Sequence, residues 1–232
     1  MAAAHHQAPA SPAPMPIDHE AWLAELHLSN FVNAYCQYQD LRRLGQVRTV
    51  LTIGPGAGLE TAILRWRGFD VTTFDIDEHF KPDVIGSVHD LGRFGDLGFD
   101  AVIASHVLEH LPVSFLDDAL RELARVGRFA LVYLPVHGRH VQLRLQPGFG
   151  DLDLSLVLDL FNYFERPSGE QPQYMAGQHY WEAGMRGFRR CDLLRRFSRW
   201  FEVREHYRNR DWLPSLNFLL ESRRNTGSDI RR

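Results

Sequence analysis

A glycine-rich turn between a predicted strand and a predicted helix constrains the fold of this chain more than any other segment. An apolar run at 50–53 is typical of a strand, and a helical pattern follows at 59–67. The turn between them consists of Gly54, Pro55, Gly56, Ala57 and Gly58. Because glycine has no Cβ atom, the backbone of such a turn can approach a ligand closely. The unpaired N–H groups at the start of the helix then offer hydrogen-bond donors to that ligand.

Asp75 lies 21 residues after Gly54, at the end of a second strand pattern at 70–75. A carboxylate at this place accepts hydrogen bonds from ribose hydroxyls. The turn and Asp75 together predict a site for a nucleoside-containing cofactor, although glycines also occur in such turns for geometry alone. A nicotinamide-dependent oxidoreductase is a weaker alternative, because Leu59 occupies the position of the last glycine in the G-x-G-x-x-G fingerprint.

Strand and helix patterns alternate along the first part of the chain. Predicted strands lie at 47–53, 69–74, 83–86, 100–105 and 128–134, and predicted helices at 58–67 and 113–126. This alternation predicts an α/β fold with a Rossmann-like, doubly wound, mostly parallel sheet and helices on both faces. Ligands of such sheets bind at the carboxyl ends of the strands, where the strand order reverses. The glycine turn, Asp75 and Ser105 fall at such ends, which predicts one common cleft.

The sequence predicts one domain at 17–222 between two tails. Residues 1–16 are expected to form a disordered tail rich in alanine and proline, and 223–232 a charged tail. The domain is expected to consist of a helical cap at 17–44, a cofactor-binding core at 45–135, an insertion or lid at 136–180, and a C-terminal helix with closing strands at 181–222. Apolar residues of the cap recur at helical spacing, which predicts a packed helix. Within the insertion we expect a loop at 137–140 and a helix at 152–164.

Composition excludes several classes of function. The chain has 232 residues, 44% hydrophobic and 24% charged, as is ordinary for one globular domain. A net charge of −3 provides no general attraction to nucleic acid or to an anionic membrane. No apolar run is long enough to span a bilayer. Cys36 and Cys191 provide no disulfide framework, so a cytoplasmic location is expected.

The motifs together resemble those of class I S-adenosylmethionine-dependent methyltransferases, in particular the bacterial group with a type 11 methyltransferase domain. The resemblance rests on 50–58, on Asp75 and on the segment 99–112, and it returns more faintly at 177–182 and 214–221. It implies a seven-stranded sheet with an antiparallel last strand, S-adenosyl-L-methionine as the cofactor, and in-line methyl transfer to an acceptor.

The resemblance also implies the cofactor contacts. It assigns to cofactor binding the residues Gly54, Pro55, Gly56, Gly58, Asp75, Ile76, Val88, Asp90 and Ser105. Two positions depart from the family. Thr52 stands where the family usually has an acid that orients the amino-acid end of the cofactor, and Ser87 stands where it often has an acid beside the adenine. These departures support an alternative function, that of a catalytically inactive methyltransferase-like binding or regulatory protein.

The segment 106–110 contains His106, Glu109 and His110, which share one face if the segment is helical. The order H-x-x-E-H also occurs in zinc peptidases, but there it lies on a long helix, whereas here a strand runs into it. The segment further resembles the metal-binding motif of plant small-RNA 2′-O-methyltransferases, in which a later histidine, here His179, completes the site. A divalent metal on His106, Glu109, His110 and His179 is therefore possible but not favoured over local packing. Without a metal, His106 or His179 is the candidate catalytic base.

The methyl acceptor is not specified by the sequence. A basic stretch at 186–210 is mixed with acids and is more typical of a solvated face than of a nucleic-acid site. We therefore expect a small-molecule acceptor rather than a macromolecule and no membrane partner. The atom that is methylated and the oligomeric state stay open.

Overall fold

The computed structural model describes residues 19–20, 27–145, 154–160, 164–169, 171–174, 178–209, 211–212 and 214–225. The predicted tail at 1–16 lies outside the described residues, and so does most of the predicted charged tail at 223–232. No helix within these described ranges is long and apolar enough to cross a membrane.

The described residues form four α-helices and nine strands. The helices are α1 Leu28–Leu44, α2 Leu59–Trp66, α3 Val113–Val126 and α4 Arg190–Phe197, with short 3-10 helices at Glu78–Phe80 and Leu108–His110. The strands are β1 Thr49–Ile53, β2 Asp70–Asp75, β3 Val84–Ile85, β4 Phe99–Ser105, β5 Gly127–Pro135, β6 Arg139–Leu145, β7 Leu154–Leu160, β8 Phe201–Arg208 and β9 Ser215–Ser222.

Seven strands form the main sheet, in the order β3-β2-β1-β4-β5-β9-β8. The pairs among β1 to β5 are parallel, whereas β9 is antiparallel to both β5 and β8. The order reverses between β1 and β4, which places the crevice for a ligand at the carboxyl ends of these two strands. The predicted fold class, including the antiparallel last strand, is confirmed.

Helices cover both faces of the sheet. One face packs with α1 and α2 through a small apolar cluster that includes Leu41 and Leu64. The other face packs with α3 and α4 through a larger cluster that includes Leu120, Phe197 and the fully buried Trp181. Burial of side chains on both faces explains why the central strands are continuous apolar runs rather than alternating ones.

The inner face of α1 is only partly apolar, unlike the apolar stripe that the sequence predicted for the cap: Ala34 and Leu41 are buried, but polar residues are buried beside them. Phe31 and Tyr35 are 46% and 60% exposed, whereas Asn33, Gln37 and Asp40 are buried. The part of the predicted stripe at 22–26 lies outside the described residues. Helix α1 therefore brings hydrogen-bonding groups, not only apolar ones, against the sheet.

The insertion contains a β-hairpin where the sequence predicted a helix at 152–164. Strand β7 pairs antiparallel with β6, with Val157 opposite Gln142. The helix prediction was wrong for 154–160, because leucine favours helices but here alternates with other residues at the strand period of two. The predicted loop at 137–140 was also partly wrong, since β6 already begins at Arg139.

Candidate active site

The glycine turn leaves β1 at the point where the strand order reverses. Gly54 has φ 66°, and its N–H donates to the carbonyl of Phe74 at 2.8 Å. A Cβ atom at Gly54 would lie 2.6 Å from Cγ2 of Val107, so no larger residue fits there. Gly58 caps α2 with φ 80°, and a Cβ built on it meets no atom within 4 Å. Open space therefore faces the helix start, as the approach of a ligand to the backbone requires.

Asp75 ends β2 beside this turn. Its backbone carbonyl accepts the N–H of Gly86 at 2.8 Å, and its Oδ1 accepts the N–H of Asp77 at 2.9 Å. Burial raises the pKa of the Asp75 carboxyl, and the backbone donors of Asp77 and Ile76 offset part of this rise. The carboxylate is thus half-buried and held by its own chain at the edge of the predicted cleft. The roles of Asp75 and Ile76 in cofactor binding stay predictions.

The segment around Val88 and Asp90, predicted to lie beside the adenine, is partly buried and partly exposed. Val88 is only 4% exposed and belongs to the larger apolar cluster, while Asp90 is exposed and its Oδ1 accepts the N–H of Gly92 at 3.1 Å. Ser87, which stands at a position where an acid was expected, pairs with Nδ1 of His89 at 2.7 Å. The predicted roles of Val88 and Asp90 remain predictions.

Two hydroxyls near the turn are buried without a hydrogen-bond partner among the described residues, those of Thr52 on β1 and Thr61 on α2. A third polar group, the Glu60 carboxyl, lies in the first turn of α2. Burial raises the pKa of Glu60, while its own backbone N–H, His106 and Asn30 partly offset the rise. Buried polar groups normally have partners, so the hydroxyls of Thr52 and Thr61 are exceptions among the described residues.

His106 follows Ser105, the last residue of β4, and has the unusual φ of 55°. Its N–H donates to the carbonyl of Tyr133 at 2.9 Å, which fixes this backbone against β5. A positive φ is strained for a residue with a side chain and occurs most often at functional sites. The only helical part of the segment 106–110 is the 3-10 turn Leu108–His110, so the condition under which the three polar residues would share one α-helical face is not met.

Asp40 of α1 anchors a buried hydrogen-bond network behind His106. The side chain of Asp40 is fully buried, and its Oδ2 accepts the hydroxyls of Tyr133 at 2.6 Å and Tyr207 at 2.7 Å. Burial raises the pKa of the Asp40 carboxyl, and the two tyrosine hydroxyls and Arg43 offset part of that rise. The network connects α1 to β5 and β8.

The network continues from Tyr207 to His106. The hydroxyl oxygen of Tyr207 accepts a hydrogen bond from Nδ2 of Asn217 at 3.1 Å. Oδ1 of Asn217 accepts a hydrogen bond from the hydroxyl of Ser215 at 2.7 Å. The Ser215 oxygen lies 3.4 Å from Nε2 of His106. Because Ser215 donates its hydrogen to Asn217, its oxygen is left to accept one from His106. This series of hydrogen bonds therefore runs from the buried Asp40 to His106 and orients the imidazole of His106.

Glu109 is the most unusual group of the site. Its side chain is 0% exposed, and neither carboxylate oxygen has a hydrogen-bond partner among the described residues. Nδ1 of His106 lies 3.6 Å from Oε1 of Glu109. Complete burial acts to raise the pKa of Glu109, but the neighbouring imidazoles of His106, His110 and His179 outweigh it and lower the pKa below its usual value.

Two further histidines face this carboxylate. Nδ1 of His110 lies 3.0 Å from the carbonyl of Gln178, and Nδ1 of His179 lies 2.7 Å from Oε1 of Glu182. The rings of His110 and His179 lie edge to face, with centroids 4.8 Å apart. Burial lowers the pKa of His110. One ligand atom each of Glu109, His110 and His179 lie within 4.8 Å of one another, so three of the four residues of the metal hypothesis come together.

Glu182 connects this group to the insertion. Its second oxygen, Oε2, pairs with Nδ1 of His137 at 2.8 Å, and Nε2 of His137 lies 2.9 Å from Oε2 of Glu165. Burial acts to raise the pKa of Glu182, but hydrogen bonds from His179 and His137 outweigh it and lower the pKa. His179 is therefore held from behind by a carboxylate that is itself held by another histidine.

A second cluster of possible ligands lies next to Asp75. The carboxylate of Asp77 pairs with His19 at 2.6 Å and with Nδ1 of His79 at 2.8 Å, and the two imidazoles stack with centroids 4.3 Å apart. Burial acts to raise the pKa of Asp77, but the hydrogen bonds from His19 and His79 outweigh it and hold the pKa at about 2. Here each carboxylate oxygen already has a partner, in contrast to Glu109.

Residues 51–129 match the family model described as a methyltransferase domain. Over these residues, about a third of its length, the chain is similar to methyltransferase domains. The match covers the glycine turn, Asp75 and the segment with Glu109, and the strand order of the sheet agrees with it. This match agrees with the methyltransferase interpretation of the sequence. A comparison with curated proteins finds no match.

Several solved structures share the methyltransferase fold. A protein from Pyrococcus horikoshii OT3 has 12% identity and a TM-score of 0.54, covering 87% of this chain and 93% of that one. The glycopeptide N-methyltransferase MtfA, complexed with S-adenosyl-L-homocysteine, has 13% identity and a TM-score of 0.54, covering 90% and 100%. The 1,6-didemethyltoxoflavin-N1-methyltransferase of Burkholderia thailandensis has 16% identity and a TM-score of 0.50, covering 91% and 93%. At such identities the likeness shows a common fold.

The sequence did not indicate the groups that support this candidate site from behind. Asp40 lies on α1, whereas Ser215 and Asn217 lie on β9, and only the folded chain connects them to His106. The pairing of His137 with Glu182 was also missed. The two residues are 45 positions apart, and no local sequence pattern connects them.

Proposed function

We propose that the protein transfers a methyl group from S-adenosyl-L-methionine to a small-molecule acceptor bound beside His106. The observation that carries this proposal is the position of the glycine turn and Asp75, in a methyltransferase domain, at the point where the strand order reverses. S-adenosyl-L-homocysteine accompanies two of the similar structures, MtfA and the toxoflavin-pathway enzyme, which supports the choice of cofactor.

A small acceptor agrees with the charge of the chain and with its fold neighbours. The net charge of −3 favours no polyanionic partner. The enzyme from Burkholderia thailandensis is complexed with 1,6-didemethyltoxoflavin, a small molecule, and its likeness to this chain is compatible with an acceptor of that size. The atom that receives the methyl group stays open.

The cofactor supplies the reactive methyl group, so the protein has to bind and align the two reactants. Good alignment alone can lower such a barrier by about 7–11 kcal/mol in favourable cases. We assign alignment of the cofactor to the glycine turn and Asp75. His106 has a side chain that is 26% exposed, and the network from Asp40 orients it, so we assign it to the contact with the acceptor's proton. His179 is buried and bonded to Glu182, which makes it the weaker candidate.

Calorimetric titration with S-adenosyl-L-homocysteine tests the cofactor site. Asp75→Asn keeps an oxygen for the N–H of Asp77 but removes the negative charge, and hydrogen bonds to charged groups contribute about 1.5–3 kcal/mol. We therefore expect binding to weaken by about 10- to 150-fold, since 1.4 kcal/mol corresponds to a factor of ten. Asp70→Asn, an exposed carboxylate at the other end of β2, is the matched control and keeps wild-type affinity.

Three outcomes separate the hypotheses. Absence of binding to the wild type, or equal affinity of wild type and Asp75→Asn, would contradict the proposed cofactor site. Binding followed by methyl transfer to a member of a small-molecule library supports the complete proposal. Tight binding with no transfer to hydroxyl, amine or acid acceptors would instead support the inactive alternative to which Thr52 and Ser87 pointed.

A further inference from the structure

We propose that Glu109, His110 and His179 bind a divalent transition-metal ion beside the proposed acceptor site. The first argument is the state of Glu109. Its carboxylate is completely buried, yet neither oxygen accepts a hydrogen bond from any described residue. Removing a carboxylate from water without such partners costs several kcal/mol, on the order of the whole stability margin of a domain. A cation on these two oxygens removes that cost.

The second argument is the orientation of the imidazoles. In both His110 and His179, Nδ1 faces an acceptor oxygen, the carbonyl of Gln178 in one case and Glu182 in the other. Nδ1 therefore carries the hydrogen, and the lone pair is on Nε2. A neutral imidazole with a free Nε2 lone pair is the form that binds metals. The two side chains are thus held in the protonation state that a metal site needs.

The third argument is distance. The ligand atoms of the three residues lie within 4.8 Å of one another. Ligands that share an ion at a bond length of about 2.1 Å are about 3 to 4 Å apart, so small side-chain rotations bring the three atoms to bonding distance. A backbone hydrogen bond holds the segments of Glu109 and His179 together, since the N–H of Tyr180 donates to the carbonyl of Glu109 at 2.9 Å.

The fourth argument is the support behind the ligands. Glu182 accepts from His179 and is itself bonded to His137, a carboxylate–histidine arrangement of the kind that orients ligands in metal sites. The second candidate cluster of the chain, formed by His19, Asp77 and His79, lacks the unsatisfied oxygens of Glu109. The carboxylate of this cluster therefore needs no cation, and the cluster serves as a control within the same protein.

The ligand set indicates which metal binds. Two imidazoles and one carboxylate suit Mn²⁺, Fe²⁺, Co²⁺ or Zn²⁺ better than Mg²⁺ or Ca²⁺, which prefer oxygen ligands. Three protein ligands leave at least one coordination position for another molecule, as in catalytic rather than structural sites. His106, partly exposed and 3.6 Å from Glu109, borders that position. If the proposed function holds, the ion has the role of holding an oxygen or nitrogen of the acceptor.

Calorimetric titration of the full-length, chelator-treated protein with Mn²⁺ tests the site. We expect one ion per chain, an affinity for Mn²⁺ higher than for Mg²⁺, and at least a 100-fold loss in Glu109→Gln, which has nearly the same shape as Glu109 without its charge. Glu182→Gln keeps all three ligands and is expected to weaken binding by about 10- to 100-fold. The matched control is His79→Gln in the other cluster, which keeps wild-type binding.

Binding of Mn²⁺ that is equal in wild type and Glu109→Gln, or that is lost in His79→Gln, would overturn the proposal, and so would absence of Mn²⁺ binding to the wild type. Thermal melting shows whether each variant is folded. We expect metal-free Glu109→Gln to melt no lower than the metal-free wild type, because it removes a buried charge that accepts no hydrogen bond from the described residues. We expect Mn²⁺ to raise the melting temperature of the wild type and of His79→Gln but not that of Glu109→Gln. Titration with S-adenosyl-L-homocysteine in metal-free buffer tests the proposed function separately.

Discussion

The two halves of the cleft are built on different principles. The glycine turn and Asp75, to which we assign alignment of the cofactor, come from one continuous stretch, Thr49 to Asp75, and the turn works mainly through backbone geometry. The half assigned to the acceptor is assembled from segments far apart in the chain, around Glu109, His137, His179 and Ser215, and works through side chains.

The difference has a consequence for how each half tolerates change. A site built from backbone groups needs free space beside the backbone, so one added methyl group can abolish binding there. A side-chain site depends on a network in which each group orients the next, so loss of one member weakens it by steps. Three substitutions test this contrast, in order of decreasing expected effect.

Gly54→Ala is expected to have the largest effect. The new Cβ would lie 2.6 Å from Cγ2 of Val107, at a φ of 66° that alanine rarely adopts. Overpacking costs about 1–3 kcal/mol and the strained backbone about 1–2 kcal/mol more. We expect a clear fall in the free energy of unfolding and no detectable binding of S-adenosyl-L-homocysteine. Gly95→Ala, where the added Cβ meets no atom within 4 Å, is the control. Normal binding by Gly54→Ala would show that the turn does not act through backbone geometry.

Tyr207→Phe tests the network behind His106 and is expected to have an intermediate effect. It removes one of two hydroxyls from the buried Asp40 carboxylate, at a cost of about 1–3 kcal/mol. The folded-state pKa of Asp40 is already raised by burial, so its carboxyl favours folding in acid, and this contribution is lost as the pH rises through the folded pKa. The destabilisation should therefore be larger at pH 7 than at pH 4, as measured by urea unfolding.

Tyr38→Phe is the matched control for Tyr207→Phe. Among the described residues, the hydroxyl of Tyr38 bonds to the surface side chains of Arg42 and Arg67, so its loss is expected to leave stability unchanged at both pH values. A similar loss of stability in the two variants would mean that the buried network contributes nothing special.

Asp77→Asn is expected to have the smallest effect, confined to acid. Because the folded-state pKa of Asp77 is held at about 2, its contribution to stability is complete above the ordinary pKa of about 3.9 and is lost as the pH falls towards 2. Between pH 4 and pH 2, the stability of the variant should fall less steeply than that of the wild type, as measured by thermal melting. Asp70→Asn should keep the wild-type profile, and an equal flattening in both variants would contradict the assignment.

The same contrast explains what the sequence could predict. The parallel arrangement of the first strands, the glycine turn and the position of Asp75 follow from local patterns, because a contiguous backbone site leaves its signal in neighbouring residues. The family match and the sheet topology confirm this part. The roles of the individual cofactor residues, from Gly54 to Ser105, stay predictions that the proposed titrations test.

On the acceptor side, the sequence grouped His106, Glu109, His110 and His179 only through a resemblance to another family's motif. The proximity of His179 to Glu109 depends on how the segment after the insertion packs across the 3-10 turn, and no local pattern specifies that packing. The partly polar inner face of α1 was missed for a similar reason, since burial of Asp40 is acceptable only because distant tyrosines donate to it. The hairpin strand β7 was missed where alternation competed with the helix propensity of leucine.

The reversed direction of β9 gives this molecule a second source of variation at its cleft. Since β9 pairs antiparallel with β5, with Ser215 opposite Pro135, the beginning of β9 lies at the edge where the parallel strands end. The connection from β8 into β9 therefore opens onto the same rim as the loops after β4 and β5. Its length and composition could change over evolution, or in a designed library, and reshape the acceptor's surroundings while the cofactor turn and the hydrogen bonds of the sheet stay as they are.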